Sequence, residues 1–204
     1  MRIVLATNNR DKIKEIKSIL SGLSAEILTL EDFPGFPKVK ETGKTLEENA
    51  MLKAETIYRY THLPSLADDS GLEVDALSGA PGVISSRFAG AECSYQDNNR
   101  MLLSLMKNVP WEKRGAKFVC VVAIVKEISH VITVRGELNG LIALEEKGKG
   151  GFGYDPIFYL PQLNKTFAQL TLDEKNKVSH RALAFTKAKQ LILEGFLDDR
   201  YRNV

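Results

Sequence analysis

The stretch KFVCVVAIVKEISHVITVRGE, residues 117–137, determines the class of fold. β-Branched residues dominate both of its parts, Lys117–Lys126 and Val131–Glu137, which predicts two adjacent strands. Before this stretch, strands alternate with helices: a buried strand over 2–6 leads into a helix over 10–21. Interleaved strands and helices around an adjacent strand pair favour a mixed sheet, so we expect an α/β fold with helices flanking the sheet.

Hydrophobic periodicity and capping residues predict the other elements. Thr45 and Glu48 have the spacing of a capping box and predict a helix that runs to about Tyr60. The remaining predictions are strands over 25–30, 65–67, 141–144 and 157–159, helices over 94–107 and 179–194, and an acidic loop after residue 67. No linker divides the sequence, so we expect a single domain over residues 1–204, with two lobes.

Composition excludes several classes of protein. Hydrophobic residues make up 44% of the 204 residues and charged residues 26%, which excludes wholesale disorder and fibrous repeats. The net charge of +2 is too small for a duplex-DNA binder that works by phosphate neutralisation, so no nucleic-acid partner is expected. The apolar run Phe118–Val125 is too short to span a membrane, and two cysteines without a ligand pattern fit a reducing cytoplasm.

The segment ATNNRDK, residues 6–12, follows the first predicted strand directly. Small polar residues between a strand and a helix N-terminus suit an anion, because free backbone N–H groups and the helix dipole point there. Lys12 is placed to reach a phosphate. An ordinary helix cap made by Asn8 or Asn9 is the alternative interpretation.

The segment ADDSGLEVDALSGAPG, residues 67–82, concentrates carboxylates. Asp68 and Asp69 are adjacent, and carboxylates that cannot all be buried without a partner attract a cation. Oxygen ligands without histidine indicate Mg²⁺ or Mn²⁺ rather than zinc. A solvated acidic turn is the alternative. Further candidate oxygen ligands are Glu41, Glu47, Glu48, Glu73 and Asp75.

Two later segments suit a nucleotide. In GKGGFGYDP, residues 148–156, Phe152 and Tyr154 could stack on a flat base and Asp155 could fix a polar edge. A glycine-rich hairpin with its aromatic residues packed into the core is the alternative. In EKNKVSHRA, residues 174–182, the basic residues Lys175, His180 and Arg181 cluster, although a capped helix start with exposed basic residues has the same pattern.

The four segments together supply what is needed to hold phosphates, Mg²⁺ and a nucleobase. From the residues alone, we therefore expect a Mg²⁺-dependent enzyme that acts on a nucleoside triphosphate.

The order of the motifs also resembles a known family. TNN-x-x-K-x-x-E (7–15), ETG-x-T-x-x-ENA-x-x-KA (41–54), ADDSGLEVDAL-x-GAPG (67–82), GFGYDPIF (151–158) and K-x-x-x-SHRA (175–182) are similar to the motifs of the inosine triphosphate pyrophosphatases, also called XTP/dITP diphosphatases. The resemblance implies hydrolysis of ITP, dITP and XTP to the nucleoside monophosphate and pyrophosphate. It also implies Mg²⁺, for which Mn²⁺ can substitute, an elongated mixed sheet with a substrate cleft between two lobes, and a homodimer.

The resemblance assigns roles residue by residue. It implies that Glu41 and Asp69 are metal ligands and that Asp69 accepts a proton, with Asp68 as the alternative base. It implies a phosphate contact for Lys53 and a substrate contact for Ser70. The other implied substrate-binding residues are Thr7, Asn8, Asn9, Arg10, Asp11, Lys12, Phe152, Gly153, Tyr154, Asp155, Lys175, His180 and Arg181.

Two other functions remain open from the sequence. One is a Maf-type pyrophosphatase that acts on other modified nucleotides, against which GFGYDP and SHR argue. The other is a nucleotide-binding protein without turnover, against which the intact set of Glu41, Lys53 and Asp69 argues.

Overall fold

The computed structural model describes residues 1–36, 39–128 and 130–196. Its strands form a seven-stranded sheet in the order β2-β1-β3-β4-β5-β6-β7. Pairing of β1 with β2 and β3 is parallel, whereas β6 pairs antiparallel with β5 and β7, so the predicted mixed sheet is confirmed. The strands are β1 (Arg2–Leu5), β2 (Glu26–Thr29), β3 (Ser65–Val74), β4 (Gly115–Glu127), β5 (His130–Ile142), β6 (Phe158–Leu160) and β7 (Lys165–Thr166).

Four of the α-helices of the described residues agree with the predicted ones, and a further short helix over Leu172–Val178 has no counterpart among the predictions. Thr45 caps the second helix by accepting a hydrogen bond from the backbone N–H of Glu48, as predicted. None of the helices in the described ranges is both long and apolar enough to cross a membrane. The helices are α1 (Arg10–Ile19), α2 (Leu46–Thr61), α3 (Tyr95–Leu105), α4 (Leu172–Val178) and α5 (His180–Leu193).

Two predictions about strands are wrong. The acidic loop after residue 67 does not exist, because β3 continues through Asp68 and Asp69 to Val74. Both carboxylates are buried, which a strand tolerates here because basic side chains from other elements pair with them. The separate strand over 141–144 is the end of β5, which extends to Ile142 because its last residues pair with β6.

The chain forms two compact units, each built from separate segments. The first unit comprises Met1–Asp69, Cys120–Gly136 and Arg181–Val204. Its core joins α1, α5 and three strands through Ile3, Leu5, Ile16, Leu20, Leu66, Cys120, Val122, Ile124, Ala184, Phe185, Ala188 and Ile192. The single domain predicted for the whole chain, and the cleft between its lobes, stay predictions.

The second unit comprises Ser70–Val119 and Glu137–His180. Its core is richer in aromatic rings, with Phe118, Phe158 and Phe167 in mutual contact. The other buried apolar members are Leu72, Val74, Leu102, Met106, Ala116, Ile142, Tyr154, Ile157, Leu160 and Leu170.

Arg114 is a buried arginine that ties the second unit together. Its guanidinium donates hydrogen bonds to the carbonyl oxygens of Ile142 at 2.6 Å, Ala143 at 2.8 Å and Met106 at 2.6 Å. Only 1% of the residue is exposed, so these donors satisfy backbone acceptors that water does not reach. Arg114 thereby fastens the end of β5 to the segment that follows α3.

Replacing Arg114 with methionine should lower the free energy of unfolding by about 3 kcal/mol, because several buried carbonyls lose their donors at once. Urea denaturation measures this loss. Arg100→Met is the matched control: Arg100 is largely exposed and contacts Asp97 and the carbonyl of Gln96 on its own helix, so its loss should stay below about 0.5 kcal/mol. Equal losses in the two variants would contradict the role given to Arg114.

Candidate active site

The segment between β1 and α1 combines a helix cap with a buried lysine contact. The Asn9 side chain accepts hydrogen bonds from the backbone N–H groups of Asp11 and Lys12, so it is the N-cap of α1. The backbone N–H of Asn9 in turn donates to Oγ1 of Thr7 at 3.2 Å. The interpretation as an ordinary cap therefore holds for Asn9. The remaining side chains of the predicted substrate loop, Asn8, Arg10 and Asp11, are exposed.

Asp68 is the centre of a buried ionic network in the first unit. Lys12 Nζ lies 2.7 Å from Asp68 Oδ2, and Arg181 Nε lies 3.8 Å from the same oxygen. Arg181 also donates from Nη1 to Glu15 Oε2 at 2.6 Å, so its guanidinium is held between two carboxylates. Burial by itself raises the pKa of Asp68, but the attraction of Lys12, Arg181 and Lys53 outweighs it and holds that pKa well below its usual range.

Asp69 lies in a different environment, although it is the next residue. Lys53 Nζ contacts Asp69 Oδ1 at 2.7 Å and Glu41 Oε1 at 2.9 Å, so one ammonium group joins a helix, a strand and a loop. Burial raises the pKa of Asp69, and the nearby Lys53 only partly offsets that effect. Burial also opposes the charge of Lys53, but the surrounding carboxylates raise the pKa of Lys53 above its usual value.

Asn49 on α2 connects the loop that carries Glu41 to β3, which carries Asp69. Its Oδ1 accepts a hydrogen bond from the backbone N–H of Gly43 at 2.8 Å, and its Nδ2 lies 3.4 Å from Asp69 Oδ2. A Cβ at Gly43 would lie 2.6 Å from Asn49 Oδ1, so only glycine allows this approach. Asn49 thus places the loop that carries Glu41 beside β3.

The opposite environments of the two aspartates follow from strand geometry. Successive side chains of a strand point to opposite faces of the sheet. Asp68 therefore contacts side chains of α1 and α5, whereas Asp69 contacts Lys53 of α2, which also contacts Glu41.

Glu41 and Asp69 offer oxygen donors that suit a hard metal ion. One carboxylate oxygen of Glu41 and one of Asp69 contact the same cation, the ammonium group of Lys53. The two carboxylates are therefore close enough to contact one cation together. Mg²⁺ commonly binds through one or two carboxylates and completes its shell with water and substrate phosphates, so this donor set fits. Among the residues that the structure describes, no group of three or more His, Cys, Asp or Glu side chains is placed to hold a metal.

Three of the other candidate oxygen ligands have partners of their own. Glu47 pairs with Arg135 at 2.7 Å, and Glu48 accepts a hydrogen bond from the backbone of Lys44 before α2. Glu73 lies 3.2 Å from Lys117 in the second unit. Each of these three carboxylates has a local structural partner, and a role in the metal site stays a prediction for them.

In the second unit, Asp155 organises the loop that follows the glycine run. Its Oδ2 accepts hydrogen bonds from the backbone N–H of Phe152 at 2.9 Å and from Lys175 Nζ at 2.6 Å. Asp155 is 3% exposed and Lys175 4% exposed, so they form a buried ion pair. The close approach of Gly151 to Asp155 leaves no room for a Cβ, and Gly151 has a positive φ of 70°.

The two aromatic residues of this loop differ in accessibility. Tyr154 is 4% exposed, packs in the core of the second unit and donates its hydroxyl to the carbonyl of Ser85 at 2.9 Å. The alternative of an aromatic packed into the core therefore describes Tyr154, whose predicted stacking on a base does not fit this position. Phe152 is only partly buried, and Lys175 Nζ lies 4.8 Å from the centre of its ring.

His180 and Ser70 also belong to the second unit. The imidazole of His180 stacks on Phe118 with ring centroids 4.6 Å apart, and the residue is 3% exposed. Ser70 lies on β3 directly after Asp69 and is partly buried. Neither position contradicts a substrate contact, which stays a prediction for both residues.

Two residues near the site have no role assigned from the sequence. Glu15 is a buried partner of Arg181; it is the last residue of the motif TNN-x-x-K-x-x-E, but the motif alone does not reveal this contact. Asn99 on α3 donates to the carbonyl of Gly153 at 3.2 Å, and nothing in its local sequence distinguishes it from a surface asparagine.

The chain matches known proteins over nearly its whole length. The model of the Ham1 family matches residues 3–191. A protein of Geobacter sulfurreducens named dITP/XTP pyrophosphatase is 50% identical over 188 residues, which cover 92% of this chain and 94% of that protein. A protein of the same name from Desulforamulus reducens is 47% identical over 192 residues, covering 94% and 96%. The solved structure of a HAM1 protein from Coxiella burnetii has a TM-score of 0.88 at 39% identity, covering 95% of this chain and 99% of that one.

Replacing Asp68 with asparagine should lower the free energy of unfolding at pH 7 by about 3 kcal/mol, because two basic side chains lose a buried counter-charge. Folding lowers the pKa of Asp68, so its contribution is present above the pKa of an unfolded aspartate, about 3.9, and is lost as the pH falls further. Urea denaturation across this range should show a smaller acid-induced loss in the variant than in the wild type.

Asp69→Asn is the control for this prediction. Folding raises the pKa of Asp69, so its charge opposes stability at neutral pH, and this variant should lose less stability than Asp68→Asn. Equal losses, or an unchanged acid dependence in Asp68→Asn, would contradict the two environments described for the aspartates.

Proposed function

Because the chain belongs to the Ham1 family, we propose that it hydrolyses dITP, XTP and ITP to the nucleoside monophosphate and pyrophosphate. The family predicted from the sequence motifs is thereby confirmed. The observation that carries the proposal is the placement of Asp69, Lys53 and Glu41 around one point, with the Asp68–Lys12 pair on the other face of the same strand.

The first unit supplies the groups for the phosphates. Lys12 and Lys53 each keep a small accessible fraction of side chain, 16% and 12%, while contacting a buried carboxylate. A triphosphate is anionic, so it can exchange with or share these carboxylate contacts and gain charge-assisted hydrogen bonds. The capped N-terminus of α1, with Thr7, Asn8, Asn9, Arg10 and Asp11 before and within its first turn, adds the favourable end of a helix dipole.

Glu41 and Asp69 are the residues that would hold Mg²⁺, or Mn²⁺ in its place. When bound, the ion would offset the negative charge on the phosphate oxygens and so lower the barrier to attack at phosphorus. The carboxylates reach it from a loop and a strand that Asn49 fixes together. Lys53 would then turn its ammonium group toward the phosphates.

Asp69 is the better proton acceptor of the two aspartates. Water attacks the α-phosphorus, pyrophosphate leaves, and the proton of the attacking water must go to a base. In the protein alone, the pKa of Asp68 is held low by Lys12 and Arg181, which makes it a poor base, whereas burial raises the pKa of Asp69. We therefore assign proton acceptance to Asp69 and an anchoring role to Asp68.

The second unit supplies groups for the purine. Phe152 offers a partly exposed ring for stacking, and Gly153 next to it brings the backbone within reach of the base. The Asp155–Lys175 pair holds the loop in place and puts opposite charges beside it. Ser70 and His180 complete the proposed contacts of this unit, and Tyr154 supports the loop from the core. Arg181, which belongs to the first unit, acts through its contacts with Glu15 and Asp68.

The proposal extends to the setting of the enzyme. We place it in the cytoplasm as a homodimer, where the thiols of Cys93 and Cys120 stay reduced and the nucleotide pool is found. Its partners are purine nucleoside triphosphates, with neither nucleic acid nor membrane among them.

Pyrophosphate release should be fastest with 6-oxopurine substrates that lack a 2-amino group. We expect kcat/KM for dITP and XTP to exceed that for dATP and dGTP by about 100-fold or more, since a site that pairs with specific polar edges rejects mismatched ones. A steady-state assay with these four nucleotides measures the ratio. Preference for dATP, for a pyrimidine nucleotide, or binding without turnover would refute the proposal.

Asp69→Asn should fold and lose about 100-fold or more in kcat, because it removes both a metal ligand and the proton acceptor. The matched control is Glu112→Gln, which removes an exposed carboxylate and should leave kcat unchanged. A chelator should abolish wild-type activity, and added Mg²⁺ or Mn²⁺ should restore it. Full turnover by the Asp69 variant, or by chelated enzyme, would contradict these roles.

A further inference from the structure

Helix α3 supports the loop that carries Phe152 and Gly153. Asn99 Nδ2 donates to the carbonyl of Gly153 at 3.2 Å, and Asn99 is 2% exposed. Tyr95, one helical turn earlier, lies with its ring centroid 6.2 Å from that of Phe152. One stripe of the helix therefore contacts two successive residues of the loop, once through a ring and once through an amide.

Each neighbouring residue of the loop has its own anchor. The backbone N–H of Phe152 is held by Asp155, and the hydroxyl of Tyr154 is held by the carbonyl of Ser85. Gly153 has no side chain to anchor, and its positive φ of 64° is a conformation that glycine enters and leaves at little cost. The amide of Asn99 is the contact that fixes the carbonyl of this residue.

The orientation of the Gly153 carbonyl determines where the N–H of Tyr154 points, because both belong to the same peptide group. In a planar trans peptide the C=O and the N–H point in opposite directions. Because Asn99 holds the Gly153 carbonyl toward α3, the N–H of Tyr154 points away from α3. Rotation of the Gly153–Tyr154 peptide would put the carbonyl oxygen, an acceptor, where the N–H donor now points.

Asparagine at position 99 contributes less to stability than an apolar side chain of similar size would. Its Oδ1 is buried without a hydrogen-bond partner in the part of the chain that the structure describes. A buried acceptor left unsatisfied costs free energy, which an apolar side chain of similar size would avoid. Only Nδ2 can donate to a carbonyl, so the contact with Gly153 dictates this orientation of the amide.

We propose that Asn99 is a positioning residue that fixes the Gly153–Tyr154 peptide and thereby sets the discrimination between 6-oxo and 6-amino purines. A fixed N–H donor pairs with a 6-oxo oxygen and opposes a 6-amino group, whereas a peptide free to rotate can satisfy either. The inference rests on the proposed function, because it assigns the loop to the purine.

The test compares kcat/KM for dITP and dATP in the wild type, Asn99→Asp and Asn99→Ala. Asn99→Asp keeps the shape but replaces the donor with an acceptor that repels the Gly153 carbonyl. We expect the ratio of kcat/KM for dITP to kcat/KM for dATP to fall about tenfold or more in both variants. The fall should come mainly from a higher KM for dITP, with a smaller change in kcat.

The matched control is Asn98→Asp on the adjacent position of α3. Asn98 is equally buried, but its amide contacts the backbone of Ser86 and Ala89 instead. This variant should lose stability without a change in the substrate ratio, with thermal unfolding measured for all proteins.

Three results would overturn the inference: an unchanged ratio in folded Asn99 variants, an equal fall in Asn98→Asp, or failure of both Asn99 variants to fold, which would make Asn99 purely structural. Wild-type protein that does not hydrolyse dITP at all would refute the proposed function, and the inference with it. Wild-type activity with an unchanged ratio in the variants refutes the inference alone.

Discussion

The alternation of side chains along β3 is the constraint on which the first unit depends. Two carboxylates that are neighbours in sequence must face opposite sides of a buried strand, so each takes its charge partners from different elements. Asp68 meets Lys12 and Arg181, and Asp69 meets Lys53. One strand thereby holds both a firmly ionised anchor and a carboxylate whose burial makes it more basic.

The lysines assigned to the substrate share one physical arrangement. Lys12, Lys53 and Lys175 each contact a buried aspartate at 2.6 to 2.7 Å. A buried ammonium group without such a partner would be costly, so the carboxylates keep these lysines charged and in place. An anionic ligand that reached these lysines would share their ammonium groups with the aspartates.

The sequence predicts the fold class and most elements well, because periodicity and capping residues are local signals. It does not reveal that β3 continues through Asp68 and Asp69, since carboxylates indicate a loop unless their partners from α1, α2 and α5 are known. Tyr154 is another residue whose surroundings the sequence does not reveal. The motif suggests an aromatic ring available for stacking, but the ring is packed in the core of the second unit. Asn99 emerges only from tertiary contacts, and Glu15, although it belongs to a motif, is linked to Arg181 only by the structure.

The central claim is that adjacent aspartates of β3 have pKa values shifted in opposite directions. Carbon-13 NMR titration of the side-chain carboxyl groups tests it directly, with Asp68→Asn and Asp69→Asn used to assign the signals. The account predicts that Asp68 stays ionised to the lowest pH at which the protein is folded, and that Asp69 titrates above the value of an unperturbed aspartate, about 3.9. Titration of the two groups together, or of Asp68 above Asp69, would contradict it.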